Sequence, residues 1–139
     1  MNEILIFVSI IVFLIICSAF FSCSETALTA VSEARINELV TQGSKRAKFI
    51  EKILKNREKM ISTILIGNNF INVIASVYAT SFAIMYFHQA QLILVTIFLT
   101  IILVIFAEVI PKTYALKNAD QISLSVAPLI NMIIFILTP

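Results

Sequence analysis

The chain has 139 residues, of which 60% are hydrophobic and 13% charged, and its mean hydropathy is +1.01. Soluble domains carry about 45–50% apolar residues, so water is excluded as the solvent for most of this chain. A formal net charge of +2, with the basic residues gathered in one stretch, excludes a nucleic-acid-binding surface, and Cys17 and Cys23, which lack a Cys-x-x-Cys spacing, read as free thiols.

A membrane-spanning helix needs about 20 mainly apolar residues to cross a hydrocarbon core about 30 Å thick. The first such segment is 4–24. Its leader, Met1-Asn2-Glu3, has no basic region, and Ile16 is too large to precede a lipoprotein cysteine at Cys17, so the segment reads as a retained span. Residues 26–58 follow with a different pattern. Val31, Ala34, Ile36 and Leu39, then Phe49, Ile50, Ile53 and Leu54, recur at helical spacing. Gly43 and Ser44 supply a stop and an N-cap between them. The pattern predicts an amphipathic helical hairpin; a solvated charged linker would leave that periodicity without a cause.

The stretch from Glu25 to Lys59 holds eight of the ten Lys and Arg residues, all but Lys112 and Lys117, which makes it cytoplasmic by the positive-inside rule. The second span, 60–87, is interrupted by Gly67, Asn68, Asn69 and Asn72. The following turn, His88-Gln89-Ala90-Gln91, lacks Lys and Arg and falls outside, together with the N-terminus. The third span, 91–111, is apolar until Glu108 and Pro111. The last segment, 120–138, is shorter, opens on Asp120 and Gln121, and carries Pro128 and Asn131, which favours a belt helix lying in the interface over a fourth span. The expected fold is an all-α membrane protein in a single domain, 1–139, with three transmembrane helices, a cytoplasmic helical hairpin and an interfacial helix.

Three polar clusters interrupt the apolar spans. A carboxylate at the centre of a bilayer helix costs roughly 2.5–3.5 kcal/mol on insertion scales, so Glu108 needs a compensating role. Pro111 removes the amide that would bond the Ala107 carbonyl, leaving an oxygen beside that carboxylate. The structural alternative is a Glu108 that lies at the interface and pairs with Lys112. In the second span, Asn68, Asn69, Asn72 and Ser76 line up at helical spacings, and Gly67 admits a close neighbour; the alternative is that these amides serve helix packing. At the end of the first span, Ser22, Ser24 and Glu25 offer two hydroxyls and a carboxylate, or else a helix cap.

In the expected topology all three clusters fall on the cytoplasmic half and can converge. Hydroxyl, amide and carboxylate oxygens without His or paired Cys suit magnesium, calcium or sodium, and not zinc or copper. His88 reads as a solvated turn residue. No nucleophile–base arrangement and no glycine-rich phosphate loop is present, so the sequence points to no enzyme.

Ser22-Cys23-Ser24-Glu25-Thr26-Ala27-Leu28, Ile66-Gly67-Asn68-Asn69-Phe70-Ile71-Asn72 and Glu108-Val109-Ile110-Pro111-Lys112, in this order and separation, resemble the transmembrane domain of the CNNM/CorC family over nearly the whole chain. The resemblance implies a homodimer of protomers with three transmembrane helices, a hairpin and a belt-like helix, exporting magnesium in exchange for sodium. It implies an ion site formed by Ser24 with Ser22 nearby, the Gly67 carbonyl, Asn68, Asn72 and Glu108. Glu25, Asn69, Pro111 and Lys112 would support that site. Relatives continue into cytoplasmic CBS domains that bind ATP, and this sequence is expected to represent the membrane domain without them. A non-transporting ion sensor that signals to such domains is the competing expectation.

Overall fold

The computed structural model describes residues 2–137; the last residue of the expected 120–138 helix lies outside the described residues. Those residues form helices α1 (Asn2–Ala30), α2 (Glu33–Thr41), α3 (Lys45–Leu54), α4 (Arg57–Tyr86) and α5 (Gln89–Val104), a π-helical turn (Ile105–Val109), and helices α6 (Ile110–Lys117) and α7 (Ala119–Leu137). The protein is all-α, and its apolar composition has a direct structural reading. Without water to bond exposed amides and carbonyls, a chain in lipid satisfies its backbone within each segment, which the helix does and an open strand does not.

Four helices are long and apolar enough to cross a membrane: Asn2–Ala30, Arg57–Tyr86, the continuous Gln89–Lys117 and Ala119–Leu137. At 1.5 Å per residue the first three are each about 44 Å long, well beyond the hydrocarbon core. α1 continues unbroken through Ser22, Ser24 and Glu25 to Ala30, so the serines sit inside a helix instead of capping its end.

Between α1 and α4 lies the expected hairpin, with its punctuation as read from sequence. Gly43 takes φ +91°, a conformation that favours glycine. The Ser44 hydroxyl then caps α3 by accepting the Ala47 amide at 3.2 Å. Ser32 and Asn56 cap α2 and α4 in the same way, accepting the amides of Arg35 and Lys59.

α1 and α4 pack antiparallel along most of their length. At one end Tyr86 donates to the Glu3 carboxylate, and Phe7 stacks on Tyr78 and Phe82. Midway Ser18 meets Asn68 and Asn72, and one turn further Phe21 lies over Gly67. At the other end Leu28, Met60 and Ile64 share a cluster. Ala75, Ala79 and Ala83 of α4, at i, i+4 and i+8, are buried as well, and small side chains of this kind let membrane helices approach closely.

The conventional apolar core lies at the hairpin end. Leu28 and Val31, Ile36 of α2, Ala47, Ile50 and Ile53 of α3, Met60 and Ile64 of α4, and Ala127 and Ile130 of α7 form one buried cluster. α7 therefore packs on α1, α3 and the start of α4. Its first turn is tied down by Asp120, whose carboxylate accepts the Ser32 amide at 3.1 Å. Elsewhere the helices turn large apolar side chains outward: Phe13, Ile16, Ile66, Phe70, Val77, Met85, Ile93, Leu94 and Phe98 are all exposed, and no residue of α5 is buried. In a soluble protein such a surface would drive aggregation; here it is the face presented to lipid.

A Cβ at Gly67 would stand 2.8 Å from two atoms of the Phe21 ring, which is itself packed edge-on to Phe20 at 5.7 Å between ring centres. Replacing a helical Gly by Ala gains about 1 kcal/mol of propensity, but overpacking costs about 1–3 kcal/mol, and the neighbouring Phe20 hinders the ring's retreat. Gly67→Ala is therefore expected to lower the unfolding temperature in detergent. Adding Phe21→Leu should restore it, and strictly additive effects of the two changes would contradict this packing.

Candidate functional site

The polar centre of the bundle is built on three elements. From α1, Ser18 is buried, and its hydroxyl lies 2.6 Å from Asn72 Oδ1 and 3.2 Å from Asn68 Oδ1. From α4, Asn68 is buried and Asn72 half-buried, one turn apart on the face toward α1. From the π-helical turn, Glu108 Oε1 accepts a long hydrogen bond, 3.5 Å, from Asn72 Nδ2. A serine hydroxyl has one proton, so Ser18 donates fully to one amide oxygen at a time. Each asparagine also carries two N–H donors, so the surplus of acceptor capacity and the negative charge of this cluster come from the Glu108 carboxylate. An environment of that kind favours a cation.

The π-helical turn explains how Glu108 reaches this centre. Pro111 is buried at the start of α6; it has no amide to donate, and its ring would crowd the carbonyl of the preceding turn in a regular helix. The backbone instead widens by one residue across Ile105–Val109, with the Ile110 amide bonding back to the Ile105 carbonyl. Such π-bulges recur at functional sites because they redirect a side chain without ending the helix. Glu108 is half-buried beside Asn72. The expected alternative, pairing with Lys112, is not formed: among the described residues the one ion pair joins Arg57 to Glu33, on the hairpin side.

A cavity of about 140 Å³ opens between α4 and the third long helix, lined by Asn72, Ser76, Thr100, Leu103, Val104 and Glu108. A water's share of liquid volume is about 30 Å³, so the space accommodates an ion that keeps some of its hydration. Among the described residues no three His, Cys, Asp or Glu side chains come together, and the formal charge at this centre is that of Glu108.

The remaining residues singled out from the sequence are distributed around this centre. Ser22 is fully buried one turn beyond Ser18 on the same helix face, and its hydroxyl has no protein partner. Ser24 is equally buried but donates to the Phe20 carbonyl of its own helix at 2.7 Å. Gly67 lies within the unbroken α4, so its carbonyl belongs to the helical ladder, and its lack of a side chain seats Phe21. Asn69 is exposed, on a different face from Asn68. Glu25 is half-buried near the end of α1, where its carbonyl accepts the Thr29 hydroxyl. Lys112 is half-buried one turn past Glu108.

Comparison with known proteins gives a family match. Residues 9–139 match the family model described as the cyclin M transmembrane N-terminal domain, CNNM. The chain belongs to this family. CNNM-type relatives include the UPF0053 inner membrane protein YfjD of Escherichia coli, 36% identical over 106 residues that cover 76% of this chain and 25% of that protein. A UPF0053 protein of Haemophilus influenzae is 35% identical over 134 residues, covering 94% of this chain and 32% of that protein. The UPF0053 protein YhdT of Bacillus subtilis is 25% identical over 91% of this chain and 30% of its own length. The chain thus spans about a quarter to a third of these relatives, and is a multi-pass membrane domain of the CNNM type.

Ser18 is not among the three polar clusters that the sequence singles out. The available signal was its placement one turn before Ser22, on the face that α1 turns to α4. Ser18→Ala removes the hydroxyl that both asparagine oxygens approach. A double-mutant cycle with Asn72→Ala, read by unfolding in detergent, should give a coupling near the roughly 0.6 kcal/mol average for polar pairs between membrane helices. Independent effects would show that the hydroxyl and the amide do not interact.

Proposed function

We propose that this chain is the membrane domain of a magnesium transporter that exports the ion in exchange for sodium. The observation that carries this reading is the convergence of Ser18, Asn68, Asn72 and Glu108 from three separate helical elements, inside a bundle whose outer surface is apolar. Family membership supports it. All donors are hard oxygens, which suits magnesium or sodium.

In this reading Glu108 supplies the charge that draws the cation out of water, and Asn68, Asn72 and the unpartnered Ser22 replace part of its hydration. Ser18 orients the two amide oxygens. Magnesium releases its waters reluctantly, and the cavity beside Glu108 and Asn72 has room for those it keeps. A single carboxylate among neutral oxygens binds weakly enough for release, as a carrier requires. Movement of the helices around this point would expose the ion to either side in turn, and the π-helical turn provides a natural point of flexure on the third long helix.

The hairpin faces the cytoplasm by its Lys and Arg content, so both it and the C-terminal helix lie inside and the N-terminus outside the cell membrane. YfjD, an inner membrane protein by its name, is consistent with that placement. α7, anchored through Asp120 to the entrance of the hairpin and packed on α3, serves as a belt in the interface. Two such protomers form the working dimer, connected in the whole protein to CBS domains.

A ligand that binds only the folded state raises its stability, by about 2.7 kcal/mol at roughly one hundred times Kd. Magnesium is expected to stabilise the detergent-solubilised protein on this scale, and Glu108→Gln to abolish the effect while leaving the fold intact. Reconstitution with a magnesium-sensitive dye and an imposed sodium gradient then tests transport. Saturable binding with no flux under any gradient would assign the protein as an ion sensor, and an unchanged magnesium titration in Glu108→Gln would remove Glu108 from the site.

A further inference from the structure

Lys52 of α3 and Lys59 of α4 take no part in the cavity at the polar centre, and the arrangement above gives them no role. They converge with Asn131 of α7. Two adjoining cavities share these residues and Ile134: one of about 370 Å³, walled by Met132 and Phe135, and one of about 120 Å³, reaching Asn56 and Met60. The larger falls within the range of about 300–1,000 Å³ typical of small-molecule sites.

The lining is divided by chemistry. One side carries two ammonium groups and amides, and no carboxylate lines either cavity. The nearest acidic residues in sequence are directed elsewhere or exposed: Glu51 lines a separate cavity with Glu33 and Lys55, and Glu58 is exposed. Among the described residues neither lysine has an ion-pair partner. The other side is apolar and open, with Met132 51% and Phe135 83% exposed. The cavities lie where the charged hairpin meets the apolar α7.

We propose that this pocket binds an anionic phospholipid. Its phosphate lies between the Lys52 and Lys59 ammonium groups, with the Asn131 amide as a further donor, and its first acyl carbons run along Met132 and Phe135. Such a lipid bridges α3, α4 and α7, and so fastens the C-terminal helix to the hairpin. A free phosphate would be drawn by the same two charges but would leave the apolar wall uncovered; a zwitterionic lipid would cover the wall and offset the charge with its own cation.

Native mass spectrometry and thermal unfolding of the intact, delipidated protein separate these cases. Phosphatidylglycerol is expected to remain bound and raise the unfolding temperature, while phosphatidylcholine and inorganic phosphate do neither. Lys52→Gln with Lys59→Gln should weaken phosphatidylglycerol binding about thirtyfold, equivalent to about 1 kcal/mol for each lysine near an anionic headgroup. Lys45→Gln with Lys48→Gln removes the same charge outside the pocket and should leave binding unchanged. Equal loss in both double variants would reduce the effect to general surface attraction and overturn the site, as would equal stabilisation by phosphatidylcholine or by inorganic phosphate. If the glutamine pair does not fold, Lys52→Arg with Lys59→Arg must retain binding, and indifference of the unsubstituted protein to headgroup charge overturns the proposal without any variant.

Discussion

The seam between α1 and α4 closes because α4 offers Gly67 beneath the Phe21 ring, where any side chain would collide with that ring. Lipid provides no hydrophobic force to drive two apolar helices together, so close packing and interhelical hydrogen bonds must do so. The approach this seam permits brings the Ser18 hydroxyl within reach of two asparagine oxygens on the facing helix. It also holds α4 in place to receive Glu108 from the third long helix. A wider separation would leave each of those polar groups alone in an apolar medium, at a cost of several kcal/mol apiece.

The bundle concentrates its irregularity at one place. α1 and α4 run unbroken through their polar residues, whereas the third long helix widens into a π-helical turn at Ile105–Val109 just ahead of Pro111. The departure from regular geometry coincides with the one carboxylate of the polar centre. Irregular backbone at membrane depth is tolerated where it is buried in protein or lines a cavity, and here a cavity adjoins it. Structure and chemistry are therefore joined at Glu108 through the backbone as well as through its side chain.

Stability follows a different division. The large apolar side chains that fill a soluble core gather at the hairpin end, where α1, α2, α3, α4 and α7 meet, while the membrane-embedded part is held by small residues and a few hydrogen bonds. Helices gripped firmly at one end and loosely along the rest would suit the rearrangement that the proposed transport requires, since local opening is easiest where buried apolar contacts are few.

Helix number, the hairpin with its Gly43 turn and Ser44 cap, and the identity of the polar residues were all legible from composition and periodicity, because lipid restricts the chain to helices and makes every polar interruption conspicuous. Asn68, Asn72 and Glu108 stood out for that reason. The partners of those residues were not legible. Whether Ser18 or Ser24 faces the asparagines, whether Glu108 turns to Asn72 or to Lys112, and what fills the space over Gly67 depend on how one helix is rotated against another. Rotation is set by steric fit between distant segments, as with Phe21 seated on Gly67, and by the extra residue that the π-helical turn inserts before Pro111. Periodicity along one segment carries no record of the face its neighbour presents, so the chemistry of this protein could be read in one dimension and its geometry only in three.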